Sequence, residues 1–199
     1  MLYPLTHDRL LNTRAQWGET LNLYRGEIPL GYMVAHMVAD SNGVTAPVSA
    51  DLIKRPVGIM QVPLREASRF KYKEKDLETP RTNIKAAAQV INFFSEHLYD
   101  NYKATWPTPT QDYWCAVRLL YVVNFTPFAR LIVKLTGTKT LTTLLAYMNT
   151  VTTRVGRHHP RDLKKFSAHI TEFKNALQLL DGNAASTHYA SQIPMEVTA

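Results

Sequence analysis

Two short segments, VAHMVADS at residues 34–41 and GIMQVP at residues 58–63, stand out in the sequence. The first is apolar almost throughout and ends in an acid and a serine, which predicts a buried helix with Asp40 and Ser41 at its end. The second is bounded by a glycine and a proline, residues that are typical of turns. Glycine and proline also punctuate the stretch between them, so residues 41–57 are expected to form a loop.

Helical periodicity extends along most of the chain, whereas alternating strand patterns are scarce. The clearest helix begins near Pro80 and contains the segment NIKAAA at residues 83–88, and a later helix ends at Asn124 ahead of Pro127. Further helices are predicted over residues 10–24, 30–40, 111–124, 127–135, 139–154 and 160–180, with Gly182 as the stop of the last one. The sequence therefore predicts a predominantly all-α fold.

The composition is that of one globular domain. Of the 199 residues, 45% are hydrophobic and 20% are charged, which argues against disorder. Cys115 is the only cysteine, which excludes an internal disulfide framework and a cysteine-cluster metal site.

His36 and Asp40 are four residues apart and could share a helix face. No third ligand accompanies them at a recognised spacing, so no metal is expected.

The chain is basic. It has 23 Lys and Arg residues against 16 Asp and Glu, a formal net charge of +7, which favours a polyanionic partner such as nucleic acid, teichoic acid or an anionic cell wall.

No apolar run reaches membrane-spanning length, since the best candidate, residues 113–123, is short and contains Arg118. The first residues lack the basic and apolar regions of a secretion signal, so a target outside the cytoplasm would require another carrier.

The segments around Asp40, Gln61, Asn83 and Asn124, in this order, resemble the soluble lytic transglycosylase family, which has a lysozyme-like fold. In that family a helix ends in Glu-Ser, a Gly-Leu-Met-Gln stretch follows, an Asn-Ile-x-Ala-Gly helix comes next, and a Tyr-Asn-Ala-Gly stretch comes last. The resemblance covers about residues 28–130. The organisation that it implies is a lysozyme-like transglycosylase domain at residues 1–135, a C-terminal helical extension packed on it at residues 136–182, and a polar tail at residues 183–199.

The resemblance implies a cleavage of peptidoglycan that needs one protein carboxyl group. In the family an acid protonates the glycosidic oxygen between N-acetylmuramic acid and N-acetylglucosamine, and the muramic acid 6-hydroxyl closes onto the anomeric carbon to give a 1,6-anhydro product. The match makes Asp40 the catalytic general acid and base, without a metal or cofactor. An acid in this role needs a raised pKa, which apolar neighbours such as Met37 and Met60 are expected to provide. The implied substrate-binding residues are Ser41, Gly58, Met60, Gln61 and Asn124.

Departures from the family pattern favour an alternative. The acid is Asp40 instead of a glutamate, and a catalytic group displaced by about 1 Å can lose on the order of a hundredfold in rate. Val123 stands in place of the tyrosine before Asn124, and Phe125 is bulkier than the family's alanine. The alternative is a catalytically weakened or inactive structural virion protein that retains the fold. Each site residue also has a structural role open to it, as a turn residue, a helix cap or a part of the core.

The resemblance and the missing secretion signal together suggest a protein carried in a phage tail, baseplate or ejection apparatus, because cell-wall enzymes of this kind are often carried on virions. The expected partners are peptidoglycan and either virion components or further copies of the chain. The expected location is the virion, or the cytoplasm until release. A third function, nucleic-acid binding, is suggested by the net charge and the basic stretch at residues 154–165, which contains no recognition motif.

Overall fold

The computed structural model describes residues 3–44, 56–103, 105–106, 110–135 and 137–190, with side chains described as far as residue 181. It is predominantly helical, with 74% of its residues in helices. The α-helices are α1 (His7–Tyr24), α2 (Leu30–Ser41), α3 (Leu64–Ala67), α4 (Pro80–Tyr102), α5 (Gln111–Val123), α6 (Phe125–Lys134), α7 (Leu141–Thr150) and α8 (Pro160–Ala190). A two-stranded antiparallel sheet joins β1 (Pro56–Val57) to β2 (Val62–Pro63).

The predicted helices are confirmed, with shifts of a few residues at their ends. One end is wrong: α8 does not stop at Gly182 but continues to Ala190. The small sheet, α3 and two 3₁₀-helices at Ser68–Phe70 and Glu74–Glu78 were not predicted, because elements of two to five residues are too short to show a period. Most of the predicted loop, residues 45–55, and residues 191–199 of the predicted tail lie outside the described residues.

Helices α2 and α5 form the centre of the molecule. Every residue from Tyr113 to Val123 is buried, and so is all of α2 except Leu30, Gly31 and Asp40. Helices that are buried on all sides need other helices around them. Here α1 and α8 pack on α2, while α4, α6, α7 and α8 pack on α5. None of the helices in the described part of the chain is long and apolar enough to cross a membrane.

The turn between β1 and β2 is fixed to α4 by one side chain. Asn83 is fully buried, and its Oδ1 accepts a hydrogen bond of 2.7 Å from the backbone N–H of Met60. Its Nδ2 donates to the carbonyl oxygens of Val57, at 2.8 Å, and of Leu77, at 2.9 Å. Gly58 lies against this amide at φ +74°, where a Cβ atom would collide with Asn83 Nδ2 and with the Leu77 carbonyl oxygen. The turn can therefore approach Asn83 this closely only because residue 58 is a glycine and has no side chain.

Candidate functional site

Asp40 lies near the end of α2 and faces α5, where it is held by Arg118. The two guanidinium nitrogens of Arg118 donate to the carboxylate as a fork, Nη2 to Oδ1 at 2.6 Å and Nη1 to Oδ2 at 3.1 Å. His36, one helical turn before Asp40, places Nε2 at 3.1 Å from the same Oδ2. Only 9% of the Asp40 side chain is exposed, and 1% of the Arg118 side chain. A fork of this kind is the strongest common form of a charged hydrogen bond.

Arg118 also contacts two histidines and two aromatic rings. Its Nη1 donates to His36 Nδ1 at 3.1 Å and its Nε to His169 Nε2 at 3.3 Å. Because an arginine only donates, both of these ring nitrogens must accept, which leaves the proton of His36 on Nε2, towards Asp40. The guanidinium carbon lies 5.7 Å from the Tyr121 ring centre and 5.6 Å from that of Phe173. We call Asp40, Arg118, His36 and His169 the Asp40 cluster; it links α2, α5 and α8.

The charges of the cluster set the pKa of each member. Burial alone would raise the pKa of Asp40, but Arg118 and His36 outweigh it and hold that pKa well below its usual range. Burial and Arg118 both lower the pKa of His36, and the same two causes lower the pKa of His169 to about 3. The expectation that apolar neighbours raise the pKa of Asp40 is therefore wrong, because the sequence near Asp40 does not reveal Arg118. An ionised, buried carboxylate has no proton to give to a glycosidic oxygen at neutral pH.

Three of the proposed substrate-binding residues, Ser41, Gly58 and Met60, are packed inside the protein. The Ser41 side chain is buried and donates to the Met37 carbonyl oxygen at 3.1 Å, the local bond typical of serine in a helix. Met60 is fully buried in the core, and Gly58 is packed against Asn83. The side chains of Ser41 and Met60 are thus buried, and Gly58 has none. This burial does not favour the binding roles that the resemblance implies for the three residues.

Gln61 and Asn124, the other two proposed binding residues, are half-buried and share an unusual backbone conformation. Their φ angles are +44° and +75°, which non-glycine residues rarely adopt. Gln61 Nε2 donates to the Gly58 carbonyl oxygen at 2.8 Å, and Asn124 Oδ1 accepts from the Phe125 N–H at 2.7 Å, which caps α6. Strain of this kind often accompanies function and needs the surrounding structure to maintain it.

A narrow recess opens beside Asn124. Its described lining residues are Pro63, Arg65, Glu66, Phe94, Tyr121, Asn124 and Arg157. The Tyr121 hydroxyl lies 3.5 Å from the Gln61 carbonyl oxygen, and Tyr121 lines the recess together with Asn124. Tyr121 is thus a tyrosine of this recess, whereas Val123 occupies the position at which the lytic transglycosylases have a tyrosine. Its position three residues before Asn124, one turn along the same helix, is a sequence signal that could have identified it.

Glu66 contributes a carboxylate to the described lining of the recess, and no sequence pattern pointed to it. Only 4% of the residue is exposed, and its Oε2 accepts from Arg69 Nε at 2.9 Å. It follows the GIMQVP segment on the short helix α3, which has no periodic signal of its own. Among the described residues no three His, Cys, Asp or Glu side chains are grouped as they would be around a metal ion.

Comparison of the chain with protein-family models and with curated proteins finds no match. The likeness to lytic transglycosylases therefore stands on the order of the four sequence segments. The structure brings residues of these segments together: Asn83 bonds the Gly58–Gln61 turn, and Tyr121 connects that turn to the α5–α6 junction.

Proposed function

We propose that this chain is a catalytically weakened or inactive relative of the lytic transglycosylases, with a lysozyme-like core, that binds peptidoglycan glycan strands without cleaving them through Asp40. The single observation that carries the proposal is the forked ion pair between Asp40 and Arg118. A carboxylate in this pair is ionised and has its oxygens engaged, so it acts as part of the framework and not as an acid.

The binding part of the proposal is supported by the recess at Asn124. The recess measures about 30 Å³, and its described lining includes Tyr121, Asn124 and Glu66. A polar-lined recess of this size fits one substituent of a sugar, such as a hydroxyl group, while the sugar ring itself would lie on the surface outside it. Carriage in a phage tail, baseplate or ejection apparatus belongs to the same proposal, and peptide mass spectrometry of purified particles tests it.

Incubation with purified sacculi tests both parts. The wild type is expected to sediment with sacculi and to release no 1,6-anhydro-muropeptides under conditions in which an active lytic transglycosylase releases them. Release of such products by the wild type, and their loss in a folded Asp40→Asn variant, would overturn the inactive assignment. Absence of the wild type from the sacculus pellet would overturn the binding assignment.

A variant of Asn124 tests the recess itself. Asn124→Gly removes the side chain while glycine retains the positive φ angle, so the backbone is expected to stay in place. We expect this variant to bind sacculi at least several-fold more weakly. The matched control is Asn42→Gly, which replaces another asparagine of positive φ that is not among the described lining residues of the recess. Equal binding by wild type, variant and control would contradict the assignment of the recess.

A further inference from the structure

Next to the recess, an open depression of about 380 Å³ crosses the beginning of α6. Three arginines line it, and each comes from a different part of the chain: Arg65 from α3, Arg130 from α6, and Arg157 from the turn between α7 and α8. We call this depression and its three arginines the arginine cleft. None of its described lining residues is acidic.

The three arginines of the cleft have no charged partner in the part of the chain that the structure describes. Two arginines elsewhere in the molecule have an acidic partner: Arg69 is paired with Glu66, and Arg118 is paired with Asp40. Arg65, Arg130 and Arg157 are exposed and make no side-chain hydrogen bond or ion pair with the described residues. Glu66 lines the adjoining recess together with Arg65 and Arg157, but its carboxylate is paired with Arg69. Folding thus brings three like charges to one depression, and a positive potential of this kind attracts an anion.

The turn that carries Arg157 is rigidly held. The backbone groups of Val155 and His158 exchange two hydrogen bonds of 3.1 Å, and His158 Nε2 donates to the Val123 carbonyl oxygen at 2.9 Å. Gly156, at φ +60°, packs on Pro127 so closely that a Cβ atom would lie 3.0 Å from the proline Cγ. Arg157 is therefore carried by a backbone turn fixed against the α5–α6 junction, so that only its side chain has to be ordered when a ligand binds.

We propose that the arginine cleft binds the phosphate group of a phosphate-bearing ligand. A guanidinium group binds phosphate and carboxylate oxygens as a fork. A carboxylate carries one charge and two oxygens, which one arginine can satisfy. A phosphate offers three or four oxygens and up to two charges, so it can engage arginines from more than one side at once.

The aromatic surroundings of the cleft disfavour a nucleic acid as the source of the phosphate. Binding of single strands relies on free aromatic faces on which bases stack. Phe125, the aromatic residue among the described lining residues, is stacked on Phe94 with the ring centres 4.8 Å apart and the planes 10° apart. The rings of His97 and Phe93 meet it at 4.4 and 5.5 Å. These contacts disfavour a single-stranded nucleic acid. We therefore propose a phosphate ester without bases as the ligand, independently of the peptidoglycan proposal.

Calorimetric titration of the full chain with pyrophosphate and with poly(glycerol phosphate) tests the site. We expect measurable binding of at least one of them, weakened about tenfold or more in Arg130→Gln/Arg157→Gln. Tighter binding of pyrophosphate would support a small phosphate ester, and tighter binding of the polymer would support a phosphodiester chain. The charge-retaining pair Arg130→Lys/Arg157→Lys is expected to bind with intermediate affinity, because lysine keeps the charge and loses the fork.

The matched control is Arg81→Gln, which removes one exposed arginine at the start of α4, outside the described lining of the cleft. It should bind as the wild type does. The proposal is overturned if neither ligand binds, if the double glutamine variant binds like the wild type, or if Arg81→Gln loses as much affinity. Binding of a single-stranded oligonucleotide as tightly as poly(glycerol phosphate) would overturn the assignment to a ligand without bases.

Discussion

At the scale of single residues, the chemistry of Asp40 depends on a neighbour that lies 78 positions away in the sequence. An aspartate at the end of a helix is unfavourable beside the helix dipole, which suggests a functional reason for its presence. The structure gives a different reason, since the guanidinium group of Arg118 compensates the charge of the carboxylate. The two possible roles of Asp40, catalytic acid and ion-pair partner, predict different stabilities. Removal of a catalytic acid costs little stability, whereas removal of one partner of a buried ion pair costs much.

Replacement of Asp40 by asparagine separates these alternatives. Asp40→Asn leaves the Arg118 charge buried without a counter-charge, and we expect the free energy of unfolding to fall by about 3 kcal/mol or more. Urea denaturation followed by circular dichroism measures this value. The control, Asp100→Asn, removes an exposed aspartate at the end of α4 and should change it by no more than about 0.5 kcal/mol. Equal stability of the two variants would show that the ion pair does not support the fold.

The position of Asp40 could be predicted from the sequence, but its ionisation state could not. The apolar spacing of α2 places the residue at a helix end, and that expectation is confirmed. The partners Arg118 and His169 come from α5 and α8, and no local pattern indicates that these helices meet at Asp40. An arginine inside the apolar run of residues 113–123 was in fact a clue, since a buried charge needs a partner.

Gly58 provides a second test at the residue scale. Gly58→Ala adds a Cβ atom that collides with Asn83 Nδ2 and with the Leu77 carbonyl oxygen, at a positive φ angle. Gly137→Ala is the matched control, because its φ angle is similar, +77°, and no described atom lies within 4 Å of the added carbon. We expect about 1–2 kcal/mol of destabilisation in the control from the backbone alone, and at least about 2 kcal/mol more in Gly58→Ala. A difference below that value in thermal or urea unfolding would contradict the close packing of the turn.

At the scale of elements, the small sheet depends on α4 for its place. Two strands of two residues each have little stability alone, and Asn83 supplies three hydrogen bonds that hold their turn. The sequence motif at residues 83–88 predicted the helix. It did not predict the turn that Asn83 holds, because Val57, Met60 and Leu77 are recognised as its partners only in three dimensions. Asn83 lies inside α4 and acts as a bridge between this helix and the turn.

Replacement of Asn83 should therefore release the turn. Asn83→Ala leaves the Met60 N–H and the Val57 and Leu77 carbonyl groups without this partner, and we expect a loss of about 2–4 kcal/mol in the free energy of unfolding. Hydrogen exchange of the Met60 amide is the local readout and should become much faster. Asn101→Ala serves as the control, because that asparagine is exposed and bonds only within α4. Unchanged protection of Met60 in Asn83→Ala would contradict the bridging role.

At the scale of the whole molecule, α8 contributes to the core. It packs against α1, α2, α5 and α7, and it supplies His169 and Phe173 to the environment of Arg118. The apolar spacing of residues 160–180 predicted this helix, but Gly182 did not end it. A single glycine in a helix costs only about 1 kcal/mol relative to alanine, so it stops a helix only where no other interaction favours continuation.

Because α8 brings His169 against Arg118, the stability of the whole fold should depend on pH. The pKa of His169 is lowered from about 6.5 to about 3, so below pH 6.5 the unfolded chain binds a proton that the folded chain does not. Stability is then complete above about pH 6.5 and decreases as the pH falls towards 3. His169 alone should remove about 2 kcal/mol from the free energy of unfolding between about pH 7.5 and pH 5, and His36, shifted in the same direction, adds to this loss.

Urea denaturation at these two pH values measures the effect, and His169→Gln isolates it. Glutamine can still accept a hydrogen bond from Arg118 but does not titrate, so the difference between the two pH values should shrink by about 2 kcal/mol. His7→Gln is the control, because 54% of the His7 side chain is exposed, and it should keep the wild-type difference. If His169→Gln and the wild type lose the same stability, His169 is protonated in the folded protein and does not form the bond to Arg118. Asp40 does not affect this comparison. The stability that its ionised carboxylate contributes begins to decrease only below the pKa of an unfolded aspartate, near 3.8.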